Sequence, residues 1–594
     1  QIINSTFNLT FKNFYMQMFS IKKSLFLSMF LIGGVLFAQD PIDSETVTVV
    51  KPYTPTVKDA NKIKQTPSQS DSVRTKKRPV QYSIFSVPVA STFTPEKGRA
   101  TALKRERRIK IYDNYASLGF GNYGNLLAEF YSNLEVNRSD NFGIYLDHNS
   151  SQGGIDGIML DDKFYDTELN LSYNSKTRDL GWKTEIGAQH QLFNWYGLPQ
   201  NETFSNDEIN AIDPSQNYFS VYAGGEIELY DSFFDNARAK FRHTGDSYST
   251  SENHFDATGT FEVNIADELI TTNIYTDIVQ GQMGEQFLAA ENYDYTFMNF
   301  GINPSLLILR DDLTINLGVA FFYSQDVENS DGNFYIYPKV TASYKLGGDY
   351  LTPYAGLEGG LQQNTYFKFI QENPYVSPSL EIKPTDNEYN AYVGAKGKLS
   401  NAVSYNFKTG YQSQFNKALF KRNAQANELM TDELMTENYA YGNSFEVVYD
   451  DVKTLSVAGE LNVDVNQNFR LGINAEYFDY SSSDEVEAWN LPDFKASLNA
   501  DYQINEQWYT GANLFYIGER FDQQRIISAN EPVLSTITLD SYFDVNAHLG
   551  YRFNDRLSVF AKGSNLLNND YERWTNFRVQ GLQLLAGATY KFDF

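Results

Sequence analysis

The sequence predicts an all-β fold: a transmembrane antiparallel β-barrel of about 22 strands behind a short irregular N-terminal leader. Three observations predict it. From about residue 114 to the end, segments alternate apolar and polar residues, and period two means strands whose two faces meet different solvents. Short connections alternate with longer ones, as the two rims of an outer-membrane barrel require. The chain also carries 42 Tyr and 44 Phe, many near segment ends, where an interfacial aromatic girdle would lie.

Composition fits this class and excludes others. The 594 residues have a net charge of −26, 42% hydrophobic residues and no cysteine. A mean hydropathy of −0.44 is too polar for a helical membrane protein, and the aromatic content is too high for a disordered chain. Half-polar spanning strands produce such a value. Without cysteine there are no disulfides, thiolate metal sites or cysteine nucleophiles. The acidic balance excludes a general nucleic-acid binder.

Residues 1–38 read as upstream residues and a secretory signal. Lys22 and Lys23 precede the apolar run Ser24–Phe37, which ends at Ala38. That run is short of the ~20 residues a helical span needs, so cleavage near Ala38 is expected. Residues 39–113 read as a basic leader rich in Pro and Lys. Fifteen Lys and Arg stand against seven Asp and Glu over 39–110, whereas 111–594 has a net charge of −37. The segment Lys97, Arg99, Lys104, Arg105, Arg107, Arg108 and Lys110 is a candidate for closing an acidic lumen by charge, the alternative being a solvated tail.

Residues 114–594 read as the barrel. In 218–230, Phe219, Val221, Ala223, Ile227 and Leu229 oppose Tyr218, Ser220, Glu226 and Glu228. In 454–465, Leu455, Val457, Leu461, Val463 and Val465 share one face, and in 494–505 Phe494, Ala496, Leu498, Ala500, Tyr502 and Ile504 do so. Such segments exceed the usual soluble strand of about 5–6 residues and match a tilted membrane-spanning strand. Short turns are expected near 137–141, 176–180, 231–235, 266–269, 310–312, 346–349, 399–402, 466–468, 505–507 and 554–556. Longer connections are expected at 150–162, 194–216, 244–251, 281–292, 326–333, 363–387, 415–442, 481–490, 519–540 and 567–579, with a brief one at 122–125. Reading 443–465 as one long strand gives 22 strands with both ends at the periplasmic rim; 20 or 24 are the alternatives.

No catalytic, cofactor or metal constellation is present in the sequence. His148, His190, His243, His254 and His548 have no paired ligand spacing and read as lumen or loop residues. There is no nucleophile elbow or phosphate loop, so no enzyme is expected. The acidic outer loops, including Asp161-Asp162 and Asp484-Glu485-Glu487, read as solvated loop residues, the alternative being that they collect cations. The tandem repeat ELMTDELMTE at 428–437 reads as a short surface helix.

Two motifs carry a resemblance. The chain ends on a strand with Tyr590, Phe592 and Phe594 on one face, and GSNLLNNDY at 563–571 precedes it. This C-terminal region resembles the last strands of TonB-dependent outer-membrane receptors, in which the terminal strand serves barrel assembly. Near the mature N-terminus, Glu45, Thr46, Val47, Thr48 and Val49 resemble a TonB box, a segment that pairs with TonB by strand addition. The resemblance implies a 22-strand barrel in the outer membrane of a Gram-negative bacterium, with outer-membrane lipid and TonB as partners. It also implies a folded plug of well over 100 residues. Only residues 50–113 are available here, and they are too few and too polar for such a core. Two functions follow as expectations. The first is uptake of a bulky solute across the outer membrane. The second is an accessory barrel of an assembly, export or surface-lipoprotein complex, its lumen filled by a partner.

Overall fold

The computed structural model describes residues 110–594, except 201–202, 266–267, 285, 288–291, 425–436 and 529–530, and, for side chains, 525–528 and 531–533. The residues 1–38, the box Glu45–Val49, the basic residues from Lys97 to Arg108 and most of the 428–437 repeat lie outside the described residues.

Twenty-two strands form one antiparallel sheet. The first strand, Asn114–Gly121, pairs with the second, Leu126–Glu135, and with the last, Gln583–Phe592. The sheet therefore closes, which leaves no unpaired edge in lipid. Each of the ten expected short turns separates a strand pair, from Glu135/Asp140 to Arg552/Leu557. The segment read as one long strand is one: Phe445–Asn466, 22 residues.

The two faces follow the alternation. Phe219, Val221, Leu455, Val457, Leu498 and Tyr502 are exposed on the outside, as are Phe334 (64%) and Ile336 (61%). In lipid, this apolar skin is buried rather than wet. Trp508 and Tyr551 pack 4.8 Å apart beside the turn at 504–507, in the girdle position expected of them.

On the lumen face, aromatic rings lie over glycines. Tyr222 faces Gly187, Tyr295 faces Gly281, Tyr392 faces Gly356, Tyr354 faces Gly394 and Tyr509 faces Gly550, each directly across a strand pair. A Cβ on any of these glycines would lie 2.0–2.3 Å from the ring, closer than atoms can approach. The bare backbone lets each ring lie flat along the wall.

Three expectations need correction. The 519–540 connection is not a plain loop. It carries a hairpin, Arg520–Ser528 with Glu531–Leu539, paired only to itself. Its alternation was present in the sequence, but strand pattern does not say which sheet a hairpin joins. The strand before 425 runs on to Arg422, because Lys417–Arg422 continue to pair with Phe445–Asp450 beyond a bulge. Not all five histidines line the lumen or loops. His254 and His548 do face inward, but His148, His190 and His243 share the strand face of Leu146, Ile186 and Phe241, which are exposed to lipid.

Candidate functional site

The outer connections do not splay into solvent. They fold over the barrel mouth and pack into one buried apolar cluster with the inner wall. The wall supplies Tyr218, Val279, Met283, Tyr295, Phe420 and Phe445, and the loops supply Tyr196, Phe369, Ile370, Val376, Trp574 and Phe577. Tyr375 stacks on Phe577 at 3.9 Å, and Tyr196 meets Phe577 edge-on at 4.9 Å. These three rings come from connections nearly 400 residues apart in sequence. The wall strands they bridge stand on different sides of the bore, so the cluster is a cap across it.

Two short helices stand among the loops. In α1, Asn206–Ala211, Ser205 and Glu208 form a reciprocal capping box. The other, α2, Tyr366–Glu372, is the centre of the cap; its Tyr366, Phe369 and Ile370 are buried. A helix N-terminus leaves its first N–H groups without partners. Here Thr365 accepts from the Lys368 N–H at 3.1 Å. The buried wall residue Glu252 accepts from the N–H groups of Tyr366 (2.7 Å) and Phe367 (3.2 Å), and from the Tyr295 hydroxyl (2.9 Å). The carboxylate also suits the positive end of the helix dipole. The Tyr366 hydroxyl donates to Asp246 at 2.7 Å, and the Arg242 guanidinium stacks 3.7 Å over the Phe367 ring.

Carboxylates tie the remaining loops together. Asp522, fully buried on the extra hairpin, accepts from the Arg422 N–H (3.0 Å) and the Thr575 hydroxyl (2.5 Å). Asp450 gathers the N–H groups of Asp484 (3.0 Å) and Glu485 (2.9 Å). Asp162 accepts from the Ile155 N–H at 2.9 Å, and Glu485 takes both Lys421 (3.1 Å) and the Trp489 indole N–H (2.7 Å). Asp162 and Glu485 are thus internal anchors, not the solvated loop acids the sequence suggested. Composition shows that a loop is acidic, but not that its N–H groups converge on the acid.

Burial pushes the carboxyls of Asp162, Glu372, Asp522 and Glu572 above their ordinary range. The sign of the pH effect follows. A carboxyl whose value is raised in the closed cap holds its proton more tightly there than when opened to water. Closure is therefore favoured in mild acid and weakened as pH rises from about 4 through the raised values. Single-channel conductance in planar bilayers is expected to show more openings at neutral pH than at pH about 5; a flat profile would remove the carboxylate ties from the closing mechanism.

Below the cap the lumen wall is polar and of mixed sign, not uniformly acidic. One row is acidic: Glu129, Asp147 and Glu168 are partners on three successive strands. A neighbouring stretch is basic, where Lys240 and Arg242 stand over the Tyr222 ring at 4.1 and 4.6 Å. Lys110 is exposed where the chain enters the barrel, with its Nζ 2.6 Å from Asp593. Tyr590 and Phe592 stack on the outer face of the last strand, and Phe594, 87% exposed, meets Phe592 edge-on. Among the described residues, no three His, Asp or Glu side chains are grouped to hold a metal.

A closed 22-strand barrel with short turns at one rim and folded loops at the other defines an outer-membrane β-barrel of the receptor type. The family described as TonB dependent receptor-like, beta-barrel matches residues 107–566, and the chain belongs to that family. It is an outer-membrane protein of a Gram-negative bacterium. A curated relative, the vitamin B12 transporter BtuB of Photobacterium profundum, is 34% identical over 97 residues. That match spans 16% of this chain and 14% of BtuB. Solved structures share the fold at low identity. The FrpB iron transporter of Neisseria meningitidis has a TM-score of 0.61 at 10% identity, with 81% of this chain and 82% of FrpB covered. The FpvA receptor of Pseudomonas aeruginosa, bound to an iron pyoverdine, has a TM-score of 0.59 at 12% identity, with 81% and 72% covered. The copper transporter OprC gives 0.57 at 12% identity, with 82% of each chain covered.

Proposed function

We propose that this barrel takes up a bulky solute or metal chelate across the outer membrane, energised through TonB, with the folded outer loops as its gate. The observation that carries the reading is the cap. A helix held by a buried wall carboxylate closes the mouth above a polar lumen, which is what a gated passage requires. Family membership supports it, as do the relatives named for transport of vitamin B12, iron and copper. In this reading residues 1–38 address the chain for export and Glu45–Val49 is the TonB-pairing strand. On charge alone, the segment from Lys97 to Lys110 is assigned to closing the lumen. The terminal residues Tyr590, Phe592 and Phe594 serve barrel assembly.

Strand pairing gives the test. Proline lacks an N–H and cannot sit within a paired strand without losing a hydrogen bond. Val47→Pro in the full chain is expected to lower affinity for the TonB C-terminal domain about tenfold or more, whereas Val47→Ile should preserve it. Equal binding by wild type and the proline variant would sink the energised reading. The accessory reading would then stand, and a stoichiometric partner on purification from outer membrane would support it.

A further inference from the structure

Within the cap lies a cavity of about 290 Å³, at the small end of the range for small-molecule sites. Phe164 and Phe193 bound it from the barrel wall. Tyr375 bounds it from the loop after α2, and Arg573 and Phe577 from the last outer connection. All five line one small space, so a ligand of a single ring meets several of them at once.

The wall side is flat and aromatic. Phe164 and Phe193 are partners on adjacent strands. Their rings stack 6.1 Å apart and only 10° from parallel. Tyr375 meets Phe193 edge-on at 6.4 Å and stacks on Phe577 on its other side. A further planar ring extends such a set of stacked and edge-on contacts, which aromatic pairs prefer.

The charge of the lining is positive. Lys163, Arg573 and Arg578 stand on it, and Asp162 is the only acid among its described residues. Lys163 is taken by Asp161 at 3.4 Å and Arg578 by Asp570 at 3.0 Å. Asp162 is tied to the Ile155 N–H at 2.9 Å, and burial favours its neutral form. The glutamines at the edge are also engaged: Gln580 donates to the Ser151 hydroxyl at 2.6 Å and accepts from Gln583 at 2.8 Å. Arg573 differs from all of these. It is exposed, and its guanidinium makes no ion pair or hydrogen bond among the described residues. Its charge reaches the hydroxyls of Tyr196 and Tyr375. A guanidinium with its fork unoccupied beside an apolar wall suits a carboxylate, which it can hold through two parallel bonds.

We propose that this cavity binds a planar aromatic carboxylate, its ring against Phe164, Phe193 and Tyr375 and its carboxylate on Arg573. The site deepens the uptake reading by naming the chemical group of the solute that is recognised, and rests on that reading for its physiological meaning. Tyr375 and Arg573 belong to outer connections, whereas Phe164 and Phe193 belong to the wall. The ligand therefore joins cap to wall, and its binding favours the closed state.

Calorimetry on the full chain in detergent, near neutral pH, provides the test. The probes are benzoate, benzamide and cyclohexanecarboxylate. Benzamide keeps the ring and loses the charge, whereas cyclohexanecarboxylate keeps the charge and loses the planar face. Benzoate is expected to bind about tenfold more tightly than benzamide, and about threefold or more over cyclohexanecarboxylate. In Arg573→Met, benzoate and benzamide should bind alike. In Phe193→Leu, benzoate should lose its advantage over cyclohexanecarboxylate yet keep that over benzamide. Equal affinities for the three probes in the wild type, or no benzoate binding at millimolar concentration, would overturn the site. The two readings fail separately. Benzoate binding without TonB-dependent uptake supports the site and sinks transport, whereas uptake of other solutes without benzoate binding sinks the site alone.

Discussion

Replacing Glu252 by leucine is expected to unlatch the cap. The wild-type carboxylate meets two N–H groups at the start of α2 and the Tyr295 hydroxyl, inside a site that is 1% exposed. Leucine fills much of the volume but accepts nothing. Two N–H groups and one hydroxyl then lose their partner, each at about 1–3 kcal/mol when buried. Removal of a buried charge offsets part of that. A net loss of about 3–5 kcal/mol in favour of the open cap is expected, enough to turn a rare opening into a populated one. The readout is single-channel conductance, closed in wild type and frequently open in Glu252→Leu. Glu252→Gln keeps an acceptor and should fall between them. Wild-type conductance in the leucine variant, with the barrel intact, would show that α2 is held by its apolar packing alone.

The second large effect is expected at the seam. The strand Gln583–Phe592 pairs with both the first strand and Leu557–Ser564. Deleting residues 583–594 leaves two edges of unpaired backbone in lipid, at several kcal/mol per orphaned group. That total exceeds the whole stability of an ordinary domain, about 5–15 kcal/mol, so no heat-modifiable, protease-resistant barrel should be recovered from outer membrane. A finer variant separates assembly from stability. Phe594 is 87% exposed and meets only the Phe592 ring in the described contacts. Phe594→Ala should leave equilibrium stability within about 0.5 kcal/mol yet slow insertion in cells. Normal insertion kinetics would remove Phe594 from the assembly role.

The barrel was legible because its two signals are local. Strand faces repeat every two residues, as at Leu455–Val465, and turn length is read directly from the gaps between strands. The cap was not legible. Tyr196, Tyr375 and Phe577 lie on three different connections, and nothing near any one of them says that the others fold onto it. The Glu252 anchor was hidden for the same reason: it stands 114 residues from the N–H group it holds.

The rings laid over glycines have a consequence for how such a passage changes over time. At each joint, a single hydrogen atom on the backbone decides whether a phenol hugs the wall or swings into the channel. A methyl group at Gly187 or Gly356 would lift its tyrosine inward without breaking a strand. Bore width is therefore adjustable in small independent increments, each one codon change away, while the hoop of hydrogen bonds stays as it is. A lineage could narrow or widen what it admits by substituting residues that never touch the cargo.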